Sequence, residues 1–178
     1  MLRVAYSIRA CEVIREAARD TAGADSPLEP IHHPTKLGAM TAPFHHTHRV
    51  TYADCTVGNH IYYGRYLNLL EVARGEFFRH LGTTVLQWQE RDTIFPVLEC
   101  HLRYKAPARY DDVLTIEVWP ASAERVRLNF AHRITNQAGK LILEAETNHV
   151  CASLSDKPRR LPEELVAKLL PLLPPPSP

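Results

Sequence analysis

No stretch of this sequence approaches the roughly 18 apolar residues of a membrane-spanning helix, so no helical span is expected. Charge of one sign is missing too: 21 Lys and Arg stand against 20 Asp and Glu, a formal net charge of +1. Nothing global therefore calls for nucleic acid or an acidic membrane, although a local basic group can still grip a phosphate-bearing ligand. Cysteine is sparse. Cys11, Cys55, Cys100 and Cys151 are scattered and form no Cys-x-x-Cys pair. They are expected to be small buried hydrophobes in a reducing, cytoplasmic compartment. No Gly-x-Ser-x-Gly elbow, phosphate loop or dinucleotide fingerprint is present, so serine hydrolase, NTPase and Rossmann readings have no support. The first residues carry Arg3, Arg9, Arg15 and Arg19 among Glu12, Glu16 and Asp20, without a secretory apolar core, which weakens a targeting reading. No internal repeat is evident.

The 178 residues suffice for one domain with an appendage. A hydrophobic fraction of 45% and a charged fraction of 23% are ordinary for a folded protein. Residues 1–43 differ from the rest: a short helix over residues 8–18, then Gly, Pro, Ser and His-rich sequence. They are expected to be an accessory extension, or upstream of a natural start at Met40. Residues 44–161 form the ordered domain, and 162–178 a short helix with a proline-rich tail.

Within the domain a strand is expected over 48–55 and a helix over 63–81, stopped by Gly82. Tyr63, Tyr66, Leu67, Leu70, Ala73, Phe77 and Leu81 recur at three- and four-residue steps and predict its apolar face. Four alternating segments follow, around residues 98–105, 114–118, 125–134 and 140–154, with Asn136-Gln137-Ala138-Gly139 as a turn. Alternation with one wet face argues for an antiparallel sheet. The fold class is α+β: a five-stranded antiparallel sheet wrapped around one long helix.

The most telling segment is Asp54-Cys55-Thr56-Val57-Gly58-Asn59-His60-Ile61-Tyr62-Tyr63-Gly64, which runs into the helix carrying Glu71-Val72-Ala73-Arg74. It places a carboxylate, an amide and an imidazole beside helix N–H donors able to stabilise an oxyanion. This segment, with Phe95-Pro96-Val97 and the run from Lys105 to Leu114, resembles the 4-hydroxybenzoyl-CoA thioesterase family of hotdog-fold proteins. The resemblance spans residues 44–161. It implies a hotdog acyl-CoA thioesterase that works without metal or organic cofactor, as a homodimer or homotetramer with sites across the subunit boundary. Its substrate would be an acyl-CoA or acyl-carrier thioester.

The resemblance implies that the Tyr63 N–H, with Gly64 beside it, polarises the carbonyl. The family's reacting second Asp, however, falls on Thr56, whose hydroxyl cannot serve as a base. Substitutes are Asp54, one step back on the same strand face if the chain stays extended, and Glu71, at the edge of the helical apolar face. Asn59 and His60 loosely resemble the pair found in this turn in acyl-ACP thioesterases and are candidates for orienting water and moving a proton. Each has a structural alternative: a cap or ion pair for Asp54, an ion pair with Arg74 or Arg65 for Glu71, a turn and packing role for Asn59 and His60. Arg65, Arg103, Lys105 and Arg109 are candidates for coenzyme A phosphates. Tyr62, Tyr66, Phe77, Phe78 and Trp88 either line an acyl pocket or are core. His32, His33, His45, His46 and His48 lack a carboxylate or cysteine at ligand spacing, and no metal is expected. Two rivals stay open: a non-catalytic acyl-CoA or acyl-carrier binder, favoured by Thr56, and a dehydratase using His60.

Overall fold

A computed structural model of the chain describes residues 42–174. The helix expected over residues 8–18, the start at Met40, and the prolines at 175, 176 and 178 lie outside the described residues. Seven strands and three α-helices follow in order: β1 (Phe44–Arg49), β2 (Cys55–Thr56), β3 (His60–Ile61), α1 (Arg65–His80), α2 (Val85–Glu90), β4 (Val97–Tyr104), β5 (Val113–Glu124), β6 (Arg127–Asn136), β7 (Leu141–Val150) and α3 (Glu163–Leu169). Five strands make one antiparallel sheet in the order β1-β5-β6-β7-β4, and β2 and β3 form a separate miniature hairpin.

Alternation drives this arrangement. Leu114, Ile116 and Val118 of β5 and Leu128, Phe130 and Ile134 of β6 point to one face and are buried. That face receives α1 through Tyr66, Leu69, Leu70, Ala73, Phe77 and Phe78. Phe77 and Phe78 meet Phe130 edge-on, with ring centroids 5.7 and 6.1 Å apart. Each such large side chain contributes roughly 1.5–3 kcal/mol on burial. Gly82 takes the left-handed conformation (φ +75°) just beyond α1, as its stop position requires. Leu165 and Leu169 bring α3 into the same core, and Lys168 donates to the Leu81 carbonyl at 2.9 Å.

Several expectations need correction. The first strand begins at Phe44 and ends at Arg49, because Thr51 opens a 3-10 turn over Tyr52–Asp54. The chain is therefore not extended at Asp54, and Asp54 and Thr56 do not share a strand face. The apolar face of α1 is rotated from the expected one: Tyr63 precedes the helix and is 65% exposed, Leu67 is exposed, and Leu69 and Phe78 take their places. Tyr66, Phe77, Phe78 and Trp88 are buried in the core, the second of the two places weighed for them. Cys100, expected inside, is exposed on the edge strand β4.

Candidate active site

The hairpin of β2 and β3 is turned by Gly58 (φ +87°) and Asn59 (φ +57°), both left-handed, the conformation that glycine and asparagine tolerate best. Asn59 Oδ1 accepts the Tyr110 N–H at 3.0 Å, and the Ile61 N–H donates to the Ala108 carbonyl at 3.1 Å. The hairpin is thus stitched to the loop that enters β5. From β3 the chain passes straight into the start of α1.

At that start two peptide planes are locked through their carbonyls. The Tyr62 carbonyl accepts the Arg65 N–H at 2.8 Å, and the Tyr63 carbonyl accepts the Tyr104 hydroxyl at 3.0 Å. The N–H groups on those same planes belong to Tyr63 and Gly64, and neither donates to an acceptor among the described residues. They sit at the positive end of a 16-residue helix. Two fixed, unspent donors there are what a developing oxyanion needs, since they need not reorganise during reaction.

The carboxylates differ sharply. Asp54 Oδ2 accepts the Thr51 N–H at 2.8 Å and the Thr51 hydroxyl at 2.7 Å, and lies 3.0 Å from His48 Nε2. Its Oδ1 faces Arg65 Nε at 3.7 Å. Burial alone would raise its pKa, but the Thr51 hydroxyl and N–H, with His48, outweigh it and hold the carboxyl below its ordinary value. Its backbone carbonyl also accepts the Tyr62 N–H at 2.9 Å. Asp54 thus sits as the clamp of the turn that presents Tyr63, the structural alternative weighed for it. Glu71 is exposed on α1, about 9 Å of helix rise beyond Arg65. Its charge is felt by Arg74, one helical turn on.

Of the other sequence candidates, His60 is exposed on β3, and Asn59 is committed through its amide oxygen. Arg65 donates to the Ala53 carbonyl at 3.2 Å, and Lys105 pairs with Glu144 at 3.1 Å. Tyr66 is 3% exposed and packs edge-on against Tyr104. Arg103 and Arg109 are exposed, and the Arg109 guanidinium rests 3.5 Å from the Gly58 carbonyl. Among the described residues no group of three or more His, Cys, Asp or Glu is placed to hold a metal.

Two residues that sequence reasoning passed over lie under α1. His132 (2% exposed) and His149 (3% exposed) project from β6 and β7 onto the core face near Arg74. His149 bonds the Phe95 carbonyl at 3.1 Å through Nδ1 and the Thr147 hydroxyl at 3.0 Å through Nε2. Among the described residues neither His132 nitrogen has a hydrogen-bond partner within bonding geometry, the Ala145 backbone being near. Burial first, then the Arg74 charge, pushes both imidazoles down to a pKa of about 3, so both are neutral at ordinary pH. Strand alternation was the available signal, because His132 falls between Phe130 and Ile134 on the buried face.

A sheet curled over one long helix, with free N–H donors at the helix start, defines a hotdog-fold protein. The thioesterase-like superfamily model matches residues 50–169, and the chain belongs to that family. Its sequence is 36% identical to the acyl-CoA thioester hydrolase YbgC of Escherichia coli over 121 residues, covering 67% of this chain and 90% of that protein. Among solved structures, a probable thioesterase from Bartonella henselae superposes with a TM-score of 0.65 at 26% identity, covering 68% of this chain and 100% of the other. A DHNA-CoA thioesterase from Staphylococcus aureus gives a TM-score of 0.63 at 26% identity, covering 66% and 79%. The family resemblance read from residues 44–161 is borne out.

Proposed function

We propose that the chain hydrolyses an acyl-CoA thioester to a free acid and coenzyme A at the start of α1. The pair of locked, unspent N–H groups on Tyr63 and Gly64 carries this reading. The thioester carbonyl oxygen accepts from both, and the two N–H groups polarise the carbonyl. With Asp54 occupied by Thr51 and His48, Glu71 of a second copy is the carboxylate that activates water or attacks directly, because Glu71 stands about 9 Å of helix rise beyond Arg65, out of reach of the N–H pair on its own helix. Either route gives a tetrahedral oxyanion held by the two N–H groups, which collapses by breaking the carbon–sulfur bond and releasing the coenzyme A thiolate. After direct attack, water then hydrolyses the Glu71 mixed anhydride to the free acid, and on both routes the thiolate takes up the proton that the water gives up. His60 and the Asn59 amide orient the attacking water. Exposed Arg103 and Arg109 supply charge for substrate phosphates.

The protein works as a homodimer or a dimer of dimers. Support comes from β4, an edge strand with Val97, Cys100 and Tyr104 exposed, a surface that a second copy would cover. The free thiols of Cys55, Cys100 and Cys151 fit a cytoplasmic setting. No helix among the described residues is long and apolar enough to cross a membrane. Residues 1–43 are an accessory extension to this domain.

A thiol-release assay over short, long and aromatic acyl-CoA substrates tests the reading. Turnover of at least one class is expected. Tight binding without turnover across the panel would replace it with a non-catalytic binder, the outcome that Thr56 at the family's aspartate position favours.

A further inference from the structure

Where α1 crosses the edge strand β4 it leaves a seam whose two ends differ in chemistry. At one end the Tyr104 hydroxyl holds the Tyr63 carbonyl, beside the N–H pair. Further along, Cys100 of β4 stands opposite Thr147 of β7, which stands opposite Phe130 of β6, so Cys100 shares their face and looks toward the helix. It is nevertheless exposed, because no strand among the described residues lies beyond β4. Arg74 of α1 reaches this part of the seam, and its charge is felt by Cys100, His132 and His149. We propose that Arg74 and His132 receive a carboxylate at the far end of the acyl group, so that the preferred substrate is the monothioester of a dicarboxylic acid. This specificity deepens the thioesterase reading above and rests on it.

The half-buried Arg74 guanidinium makes no hydrogen bond and no ion pair among the described residues. The one carboxylate whose charge reaches it is Glu71, which the reading above places at the reacting carbonyl. A cation withdrawn from water without a counter-ion is costly, and an anionic ligand removes that cost. His132 beside it is 2% exposed, and neither ring nitrogen has a partner among the described residues. Its neutral imidazole can donate one N–H to a carboxylate oxygen without adding charge. His149 cannot take that part, since the Phe95 carbonyl and the Thr147 hydroxyl hold both of its nitrogens. The helix sets the length of the acyl group. With Glu71 of a second copy at the carbonyl, Arg74 of that copy is one turn further on, about 4.5 Å of rise. A glutaryl or adipoyl chain, at about 1.5 Å per carbon–carbon bond, spans that rise.

The test uses the full chain and acyl-CoA substrates matched in chain length: glutaryl against pentanoyl, and adipoyl against hexanoyl. The readout is the ratio of kcat/KM values, carboxylated over neutral. In the parent at least one ratio is expected at about tenfold or more, the scale of one charge-assisted hydrogen bond. Arg74→Met, similar in length but uncharged, brings that ratio to parity or below, while Arg74→Lys keeps part of it. His132→Phe lowers it severalfold. A parent ratio at or below parity for both pairs overturns the proposal without any variant having to fold. An Arg74→Met protein that melts at the parent temperature and keeps the parent ratio also overturns it. So does a folded Arg74→Met protein that loses the parent's oligomeric state, which marks the guanidinium as a contact between copies. If the parent hydrolyses no acyl-CoA, the thioesterase reading itself fails. Calorimetric titration with glutarate and adipate then decides the carboxylate site by itself: binding that Arg74→Met abolishes supports it, and no binding overturns it.

Discussion

Lowering the pH from 7 to 4.5 is expected to remove a large share of this protein's stability through His132 and His149. Both are buried under α1 and held neutral down to a pKa of about 3, whereas an unfolded histidine titrates near 6.5. A folded-state pKa below the unfolded one means the stability is present above pH 6.5 and lost as pH falls toward the folded value. At pH 4.5, two units below the unfolded pKa, protonation favours the unfolded chain about a hundredfold per histidine, or roughly 2–3 kcal/mol each. Two such groups amount to about 5 kcal/mol, comparable to the entire stability of a modest domain. Arg74 is the fixed cation facing both rings, so neither can gain a proton without like-charge repulsion. Urea unfolding at half-unit pH steps measures this, with His132→Gln expected to remove about half of the dependence between pH 6.5 and 4.5, the His149 share remaining. A parent stability that stays level over that window would refute the burial argument.

Glu71→Gln is expected to lower kcat at least a hundredfold with little change in melting temperature, since the side chain is exposed; a full-rate variant removes Glu71 from the chemistry. Asp54→Asn should instead cost about 1–3 kcal/mol in urea unfolding, from the disturbed Thr51 and His48 contacts, with kcat falling less than for Glu71→Gln. Tyr104→Phe frees the Tyr63–Gly64 peptide plane and is expected to reduce kcat severalfold at unchanged stability; no kinetic effect would mean that the hydroxyl does not orient the Gly64 N–H. Thr56→Asp in the Glu71→Gln background is expected to regain part of the lost rate by restoring a carboxylate at the family's position, and a rate no better than Glu71→Gln alone counts against a shared site.

The main frame was legible because burial imposes periods on the residues. Alternation in β5 and β6, the three- and four-residue steps of α1, and the left-handed glycines at Gly82 and Gly139 all mark elements that the structure contains. Errors arose where a local hydrogen bond overrides the pattern. Thr51 and Asp54 close on each other over three residues, which ends β1 early and spoils the strand geometry assumed for Asp54 and Thr56. The α1 face was displaced because Tyr63 and Leu67 belong to the exposed start of the helix, where apolar identity does not require burial. His132 and His149 went unnoticed because a histidine on a core face carries no sequence mark of its partner; Arg74 reaches them only through the fold.

The candidate site divides the same way, into a part written in the backbone and a part written in side chains. The Tyr63 and Gly64 donors depend on the hairpin, on the Asp54 clamp and on the Tyr104 hydroxyl, none of which constrains what stands at position 56. Loss of the family's aspartate there leaves the electrophilic half of the site intact and removes only the group that supplies the nucleophile. A carboxylate need approach the same carbonyl only from a free direction. Asp54 lacks that freedom, because Thr51 and His48 hold one oxygen and Arg65 faces the other. Glu71 has it, exposed on a turn of α1 from which, on the proposed reading, it reaches the N–H pair of a second copy. The presence of Thr56 therefore moves the expected base from the hairpin to the helix and leaves the location of the reaction unchanged.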